Sequence, residues 1–166
     1  MSRLLIALVL GLAAAASGCS VATSTDSASS PAAAAPAAAS TLLVVHKSPT
    51  CGCCSLWVDH MKQAGFRAES RLSDNLEPVK RRVGVPAGYG SCHTAEVDGY
   101  FVEGHVPAED VQRLLKERPD ALGLTVPGMP MGSPGMEVPS GEVRPYTVFL
   151  VHRDGTVSPF AEHGTR

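Results

Sequence analysis

Apolar positions along this chain fall into short blocks whose spacing alternates between that of a strand and that of a helix. The run Thr41-Leu-Leu-Val-Val-His46, closed by Ser48-Pro49, is β-branched and apolar and predicts a strand buried on both faces. From Cys53 to Ala64 the residues Leu56, Trp57, Met61 and Ala64 recur at helical spacing, with Gly65 placed as a C-terminal cap. Residues 66–72 alternate weakly as a second strand. Asn75 or Asp74 can then cap a helix over Glu77-Pro78-Val-Lys-Arg-Arg-Val83, which has proline in its first turn. Ser91-Cys-His-Thr-Ala-Glu-Val97 and Tyr100-Phe-Val-Glu103 flank Asp98-Gly99, a pair suited to a two-residue hairpin turn. Residues 107–117 carry early acids, late bases and apolar Val111, Leu114 and Leu115, the pattern of an amphipathic helix. Beyond Pro119 the chain becomes rich in Gly, Pro and Met through Pro127-Gly-Met-Pro-Met-Gly-Ser-Pro-Gly-Met136, which predicts a loop or lid. A last hairpin pairs residues 146–152 with 156–160 across Asp154-Gly155.

Two βα units followed by a hairpin and a helix predict an α/β domain of thioredoxin-like order: a central mixed sheet with flanking helices, plus the Gly/Pro/Met-rich loop. The expected domain runs over residues 41–163 and is long enough to bury a core without disulfides. Ahead of it, Leu4-Leu-Ile-Ala-Leu-Val-Leu-Gly-Leu-Ala13 follows one positive charge and leads into small residues. The run is too short for a comfortable membrane span and predicts a signal peptide over residues 1–18. Ala16-Ser17-Gly18-Cys19 is similar to a bacterial lipobox, apart from Ala16 where that motif usually has Leu, so Cys19 is the expected lipidation site. Residues 19–40, with Pro31-Ala-Ala-Ala-Ala-Pro36, lack aromatic residues and predict a disordered tether. Export to the periplasm on a membrane anchor follows as an expectation, with Ser20 favouring the outer membrane. A net charge of −2 argues against a nucleic-acid partner.

The chemistry is concentrated immediately after the first strand, in Cys51-Gly-Cys-Cys54. C-x-x-C spacing at a helix start brings two sulfurs to one side, and the helix N-terminus favours their thiolates. Cys53 adds a third sulfur, more than a dithiol oxidoreductase uses. The competing reading is a structural disulfide. Vicinal Cys53 and Cys54 pair poorly, leaving Cys51 with Cys54, or one of these with Cys92. Cys92 lies near the start of the proposed third strand, where a thioredoxin-like fold brings the loop that enters that strand beside the dithiol. It is read as a site thiol, against the alternative of a small buried hydrophobe.

Clustered sulfur selects a soft metal, and copper(I) fits thiolate and thioether donors better than zinc does. Met129, Met131 and Met136 can supply thioethers from the loop, or pack it on apolar surface. His105 is the first candidate for a nitrogen ligand, with His46 and His93 as second choices. His60, His152 and His163 read as surface residues.

Four ordered motifs carry a resemblance: His46-Lys-x-x-x-Cys51-Gly-Cys-Cys-x-x-Trp57, Gly90-Ser-Cys-His-Thr94, Val102-Glu-Gly-His-Val-Pro107 and Gly128-Met-Pro-x-Gly-Ser-Pro-Gly-Met136. Together they resemble the periplasmic copper-resistance family of CopG type, often labelled only as a domain of unknown function. The resemblance implies a thioredoxin-like fold, copper held by cysteines and histidine, and a role interconverting copper(I) and copper(II) in detoxification. The expected ligands are Cys51, Cys53, Cys54, Cys92 and His105, for copper(I) in one or several ions. Expected partners are copper ions, the membrane and periplasmic copper-handling or redox proteins. The rival function is a thiol-disulfide oxidoreductase using Cys51 as nucleophile and Cys54 as resolving thiol. A module merely stapled by disulfides comes third.

Overall fold

A computed structural model describes residues 41–164; the expected signal segment, Cys19 and the tether lie outside the described residues. The described chain forms β1 (Leu42–Lys47), α1 (Gly52–Gln63), β2 (Arg67–Leu72), α2 (Glu77–Val83), β3 (His93–Val97), β4 (Tyr100–Glu103), α3 (Ala108–Glu117), β5 (Ala121–Thr125), β6 (Tyr146–His152) and β7 (Val157–His163). This is an α/β fold with one mixed sheet of seven strands, in the order β2-β1-β3-β4-β5-β6-β7. β1 pairs parallel with β2 and antiparallel with β3, and β4 pairs parallel with β5.

The helices start and stop where local chemistry directs. α1 ends in two bonds, Gly65 N–H to the Lys62 carbonyl and Phe66 N–H to the Met61 carbonyl, with Gly65 at φ 96°. At α2 the residue in the cap position is Leu76, while the Asn75 carboxamide accepts from Glu77 N–H at 3.1 Å. The β3–β4 turn places both Asp98 (φ 48°) and Gly99 (φ 86°) in the left-handed region, as the hairpin signal requires.

Two expectations along the strands are corrected. β1 is not buried on both faces: Leu43, Val45 and Lys47 are buried, whereas Leu42, Val44 and His46 are half-exposed. The sequence also gave no sign of β5, because Ala-Leu-Gly-Leu-Thr is short, carries glycine at its centre and lies between prolines. That glycine is required. A Cβ at Gly123 would lie 2.0 Å from the Phe101 carbonyl oxygen, so only glycine lets β5 pair there with β4.

The main core lies on one face of the sheet, where Trp57, Val58 and Met61 of α1 and Val111 and Leu114 of α3 meet Leu43, Val45, Ala95, Val97, Val102 and Leu124. α2 serves the other face, where Lys80 reaches Thr94 and Glu103. The end of β1, the start of β3 and the end of β4 come together at one edge of this arrangement, since Lys47 pairs with His93 and Thr94 with Glu103.

Candidate metal centre

The turn after β1 is built to present sulfur. Ser48 C=O accepts from Cys51 N–H at 3.2 Å, and Cys51 becomes the cap of α1, its Sγ accepting from Cys54 N–H at 3.4 Å. Cys51 and Cys54 form a disulfide, one of the pairings the spacing left open, while Cys53 and Cys92 are free thiols. Cys51 Sγ lies 3.5 Å from Cys53 Sγ, and Cys54 Sγ lies 3.4 Å from Cys92 Sγ. All four sulfurs fall within 4.8 Å of one another.

Cys92 also belongs to a second group, with His93 and His105. Its Sγ is 3.1 Å from His105 Nε2 and 3.5 Å from His93 Nδ1. His105 Nδ1 lies 2.8 Å from the Pro134 carbonyl, which can only accept, so Nδ1 carries the proton and Nε2 presents a lone pair to Cys92. Both rings are fully buried, and burial holds both imidazoles neutral by lowering their pKa. His93 falls well below its ordinary value, with the His105 and Lys80 charges adding to burial, while the Pro134 bond partly offsets the shift at His105. Burial, reinforced by the Cys53 charge, pushes the Cys92 thiol up to about 11. At neutral pH Cys92 S–H therefore donates to His105 Nε2, the proton a metal ion would displace.

Trp57 and Gly135 close the site. The Trp57 ring lies 4.4 Å from that of His93, and its Nε1–H donates to the Val106 carbonyl at 2.8 Å. Gly135, at φ 83°, brings the Gly/Pro/Met-rich loop onto the start of α1. A Cβ there would lie 2.6 Å from the Cys53 carbonyl oxygen and 2.8 Å from Trp57 N.

The structure thus gathers Cys51, Cys53, Cys54, Cys92, His93 and His105. It does not bring His46 to them: His46 Nε2 meets Glu96 at 2.9 Å, and Glu96 is also held by Arg82. Met136 follows Gly135 beside the site, Met131 is tied by its carbonyl to Arg144 N–H, and the Met129 side chain is exposed. The three histidines read as surface residues are half-buried and engaged, most firmly His163, 2.6 Å from Asp110.

Several supporting residues escaped the sequence reading. Lys47 is buried, and its Nζ donates at 2.9 Å to the same Ser48 carbonyl that receives Cys51 N–H. Lys80, Thr94 and Glu103 form a buried polar cluster behind Cys92 and His105. The available signal was a charge within an otherwise apolar strand, Tyr-Phe-Val-Glu, ending two residues before a candidate ligand.

Thiolate and imidazole are soft and borderline donors, and neither group contains a carboxylate, so the set fits copper and zinc rather than calcium or magnesium. No curated protein matches the chain. The family described as "Protein of unknown function, DUF411" matches residues 89–136, which include Cys92, His93, His105 and the three loop methionines. Two solved structures are similar over most of the domain. "Copper resistance protein copG- Form 2" is 45% identical with a TM-score of 0.70, over 74% of this chain and 98% of that one. "Copper resistance protein copG- Form 1" is 44% identical with a TM-score of 0.70, over 75% and 98%. With its Cys/His cluster intact and nearly the full length of these relatives spanned, the chain belongs to the CopG family of copper resistance proteins.

Proposed function

We propose that this protein binds copper(I) through Cys51, Cys53, Cys54, Cys92 and His105, in the periplasm, on a lipid anchor at Cys19. The observation that carries the reading is that Cys92 is common to both donor groups, joining four sulfurs to two imidazoles in one contiguous site. Sulfur dominance favours copper(I) over zinc, and His93, with Nδ1 at 3.5 Å from the Cys92 sulfur, is a further donor within reach. Anaerobic titration of the reduced domain, in competition with chelators of known affinity, tests the assignment. Copper(I) should win strongly over zinc(II); comparable zinc binding in a closed four-coordinate site would replace the copper reading with a structural zinc one.

The disulfide supports a link between copper and thiol redox chemistry. Two copper(II) ions and two thiolates hold the same electrons as two copper(I) ions and one disulfide, so Cys51 and Cys54 can supply the two electrons that interconversion needs. The same pair supports a second reading, a thiol-disulfide oxidoreductase. The order β2-β1-β3-β4, with Cys51 at the start of α1 and Cys92 entering β3, supports a thioredoxin-like reading of the fold and gives that alternative its geometry. Turnover of a disulfide substrate by metal-free protein separates the two.

A further inference from the structure

Glu103 is fully buried, and its carboxylate faces the side of the sheet opposite the main core. Its Oε1 accepts from Ser91 N–H at 2.6 Å and from Lys80 Nζ, and its Oε2 accepts from the Thr94 hydroxyl at 2.6 Å. Lys80 Nζ also donates to the Ser91 carbonyl at 3.0 Å and to Thr94 Oγ1 at 3.1 Å. Every one of these bonds falls on the two segments that carry the candidate ligands: Ser91 adjoins Cys92, Thr94 follows His93, and Glu103 stands two residues before His105.

The two segments have little other choice of spacing. Gly104, at φ 74°, leaves no room for a side chain, since a Cβ would lie 2.5 Å from Ser91 Cβ and 2.7 Å from the Val126 carbonyl oxygen. Gly104 N–H donates to the His93 carbonyl at 3.0 Å, closing the hairpin at its open end. From behind, one carboxylate then holds the Ser91 N–H and one ammonium holds the Ser91 carbonyl, so both peptide groups flanking the Ser91 α-carbon, the second of them leading into Cys92, are held. A buried ion pair is a poor way to gain stability, because desolvation offsets most of its attraction. What this pair does provide is fixed direction for the Ser91-Cys92 backbone relative to the Glu103-Gly-His105 backbone.

We infer that Glu103, held by Lys80, is a positioning residue for the metal site, setting the approach of the Cys92 sulfur to His105 Nε2 through the Ser91 amide. The inference rests on the copper-binding reading for its functional meaning, but its geometric half is open to test without metal. Supporting groups of this kind typically carry a 10- to 100-fold effect on metal affinity.

Two double variants separate positioning from charge. K80M/E103Q removes both charges but keeps an oxygen that can accept from Ser91 N–H and an amide that can donate to Thr94. K80M/E103L removes the acceptor as well and replaces the ion pair by apolar groups, a change cores tolerate. In metal-free protein, amide exchange at Ser91 and the His105 ring ¹⁵N resonances should match wild type in K80M/E103Q and shift in K80M/E103L. In copper(I)-loaded protein, K80M/E103L should lose about 10-fold or more in affinity together with the Cu–N component of the X-ray absorption spectrum. Its far-UV circular dichroism should be unchanged. If K80M/E103L fails to fold, E103D, which keeps the charge but withdraws the acceptor by one methylene, is read in the same way. A folded acceptor-free variant with unchanged His105 resonances, copper affinity and copper spectrum overturns the inference. Wild-type protein that takes up no copper(I) overturns the function proposed above, while the metal-free measurements still decide the role of Glu103.

Discussion

The Cys92 sulfur stands 3.1 Å from Nε2 of His105, while Nδ1 of the same ring is committed to the Pro134 carbonyl at 2.8 Å. The outer bond fixes the tautomer and aims the free lone pair at the sulfur, the arrangement in which histidine serves as a pre-oriented ligand. Ring ¹⁵N shifts of the metal-free domain should therefore report a proton on Nδ1, and copper(I) should perturb Nε2 selectively. His105→Ala should weaken copper(I) at least about tenfold, about 1.4 kcal/mol. A proton found on Nε2 instead would overturn the assignment of His105 as a pre-oriented ligand.

Cys92 is the single residue common to both donor groups, so its loss should cost more than the loss of any one of the other cysteines. Cys92→Ser replaces a soft thiolate by a hard hydroxyl of nearly the same size. The domain should stay folded, with fewer copper ions bound and a visible change in the copper-edge spectrum. Full stoichiometry and an unchanged spectrum would show that the sulfur is not a ligand.

The Cys51–Cys54 disulfide sets how much sulfur the site can offer. Among the described residues, Cys53 and Cys92 are the free thiols while the disulfide stands; its reduction turns all four sulfurs, which lie within 4.8 Å of one another, into thiols. Copper(I) uptake measured before and after disulfide reduction should rise on reduction. In a Cys51→Ser/Cys54→Ser protein it should stay at the lower level under both conditions. Equal uptake by oxidised and reduced wild type would exclude Cys51 and Cys54 and confine the site to Cys53, Cys92 and the two histidines.

Much of this architecture was legible because local signals agreed with one another. Asp98-Gly99 marked the β3–β4 hairpin, Gly65 ended α1, and Cys51-Gly-Cys-Cys54 fell between a strand and a helix. His46, a second choice beside the alternative of a structural imidazole, stands apart from the sulfur cluster because of the side to which a strand residue points. Lys47 faces the core and its neighbour His46 the opposite side, by simple alternation. β5 was illegible because its central glycine answers a contact with Phe101, a partner that only the folded sheet supplies. Lys80 and Glu103 were hidden for the same reason: each reads as a solvated charge until the other is placed beside it.

Gly135 offers a test of the loop's hold on the site. At φ 83° a side chain is strained, and the added Cβ would meet backbone atoms of Cys53 and Trp57 that have no freedom to move. Gly135→Ala should cost about 1–3 kcal/mol of stability. It should also weaken copper(I) binding, because displacing Pro134 releases Nδ1 of His105. An alanine variant with wild-type melting temperature and affinity would mean that the loop does not set the site.

Acid sensitivity follows from the two buried imidazoles. In the folded domain His93 and His105 both hold pKa values below the ordinary 6.5, so below that pH the unfolded chain binds protons that the folded one refuses. Their stabilising contribution is present above pH 6.5 and is lost as pH falls below it. Glu103 and Asp110 act in the opposite sense, because burial raises both carboxyls above their ordinary 4.5 and 3.8; their folded forms take up protons first and gain stability toward lower pH. The histidine term is therefore read as a difference between proteins. Denaturant unfolding of the metal-free domain, with the disulfide held in one state, should show stability falling between pH 6.5 and 5.5. His93→Phe, which preserves an aromatic ring against Trp57, should flatten that slope. A slope that is the same in wild type and variant would mean that His93 titrates normally, and that its burial beside Cys92 and Trp57 does not keep it neutral.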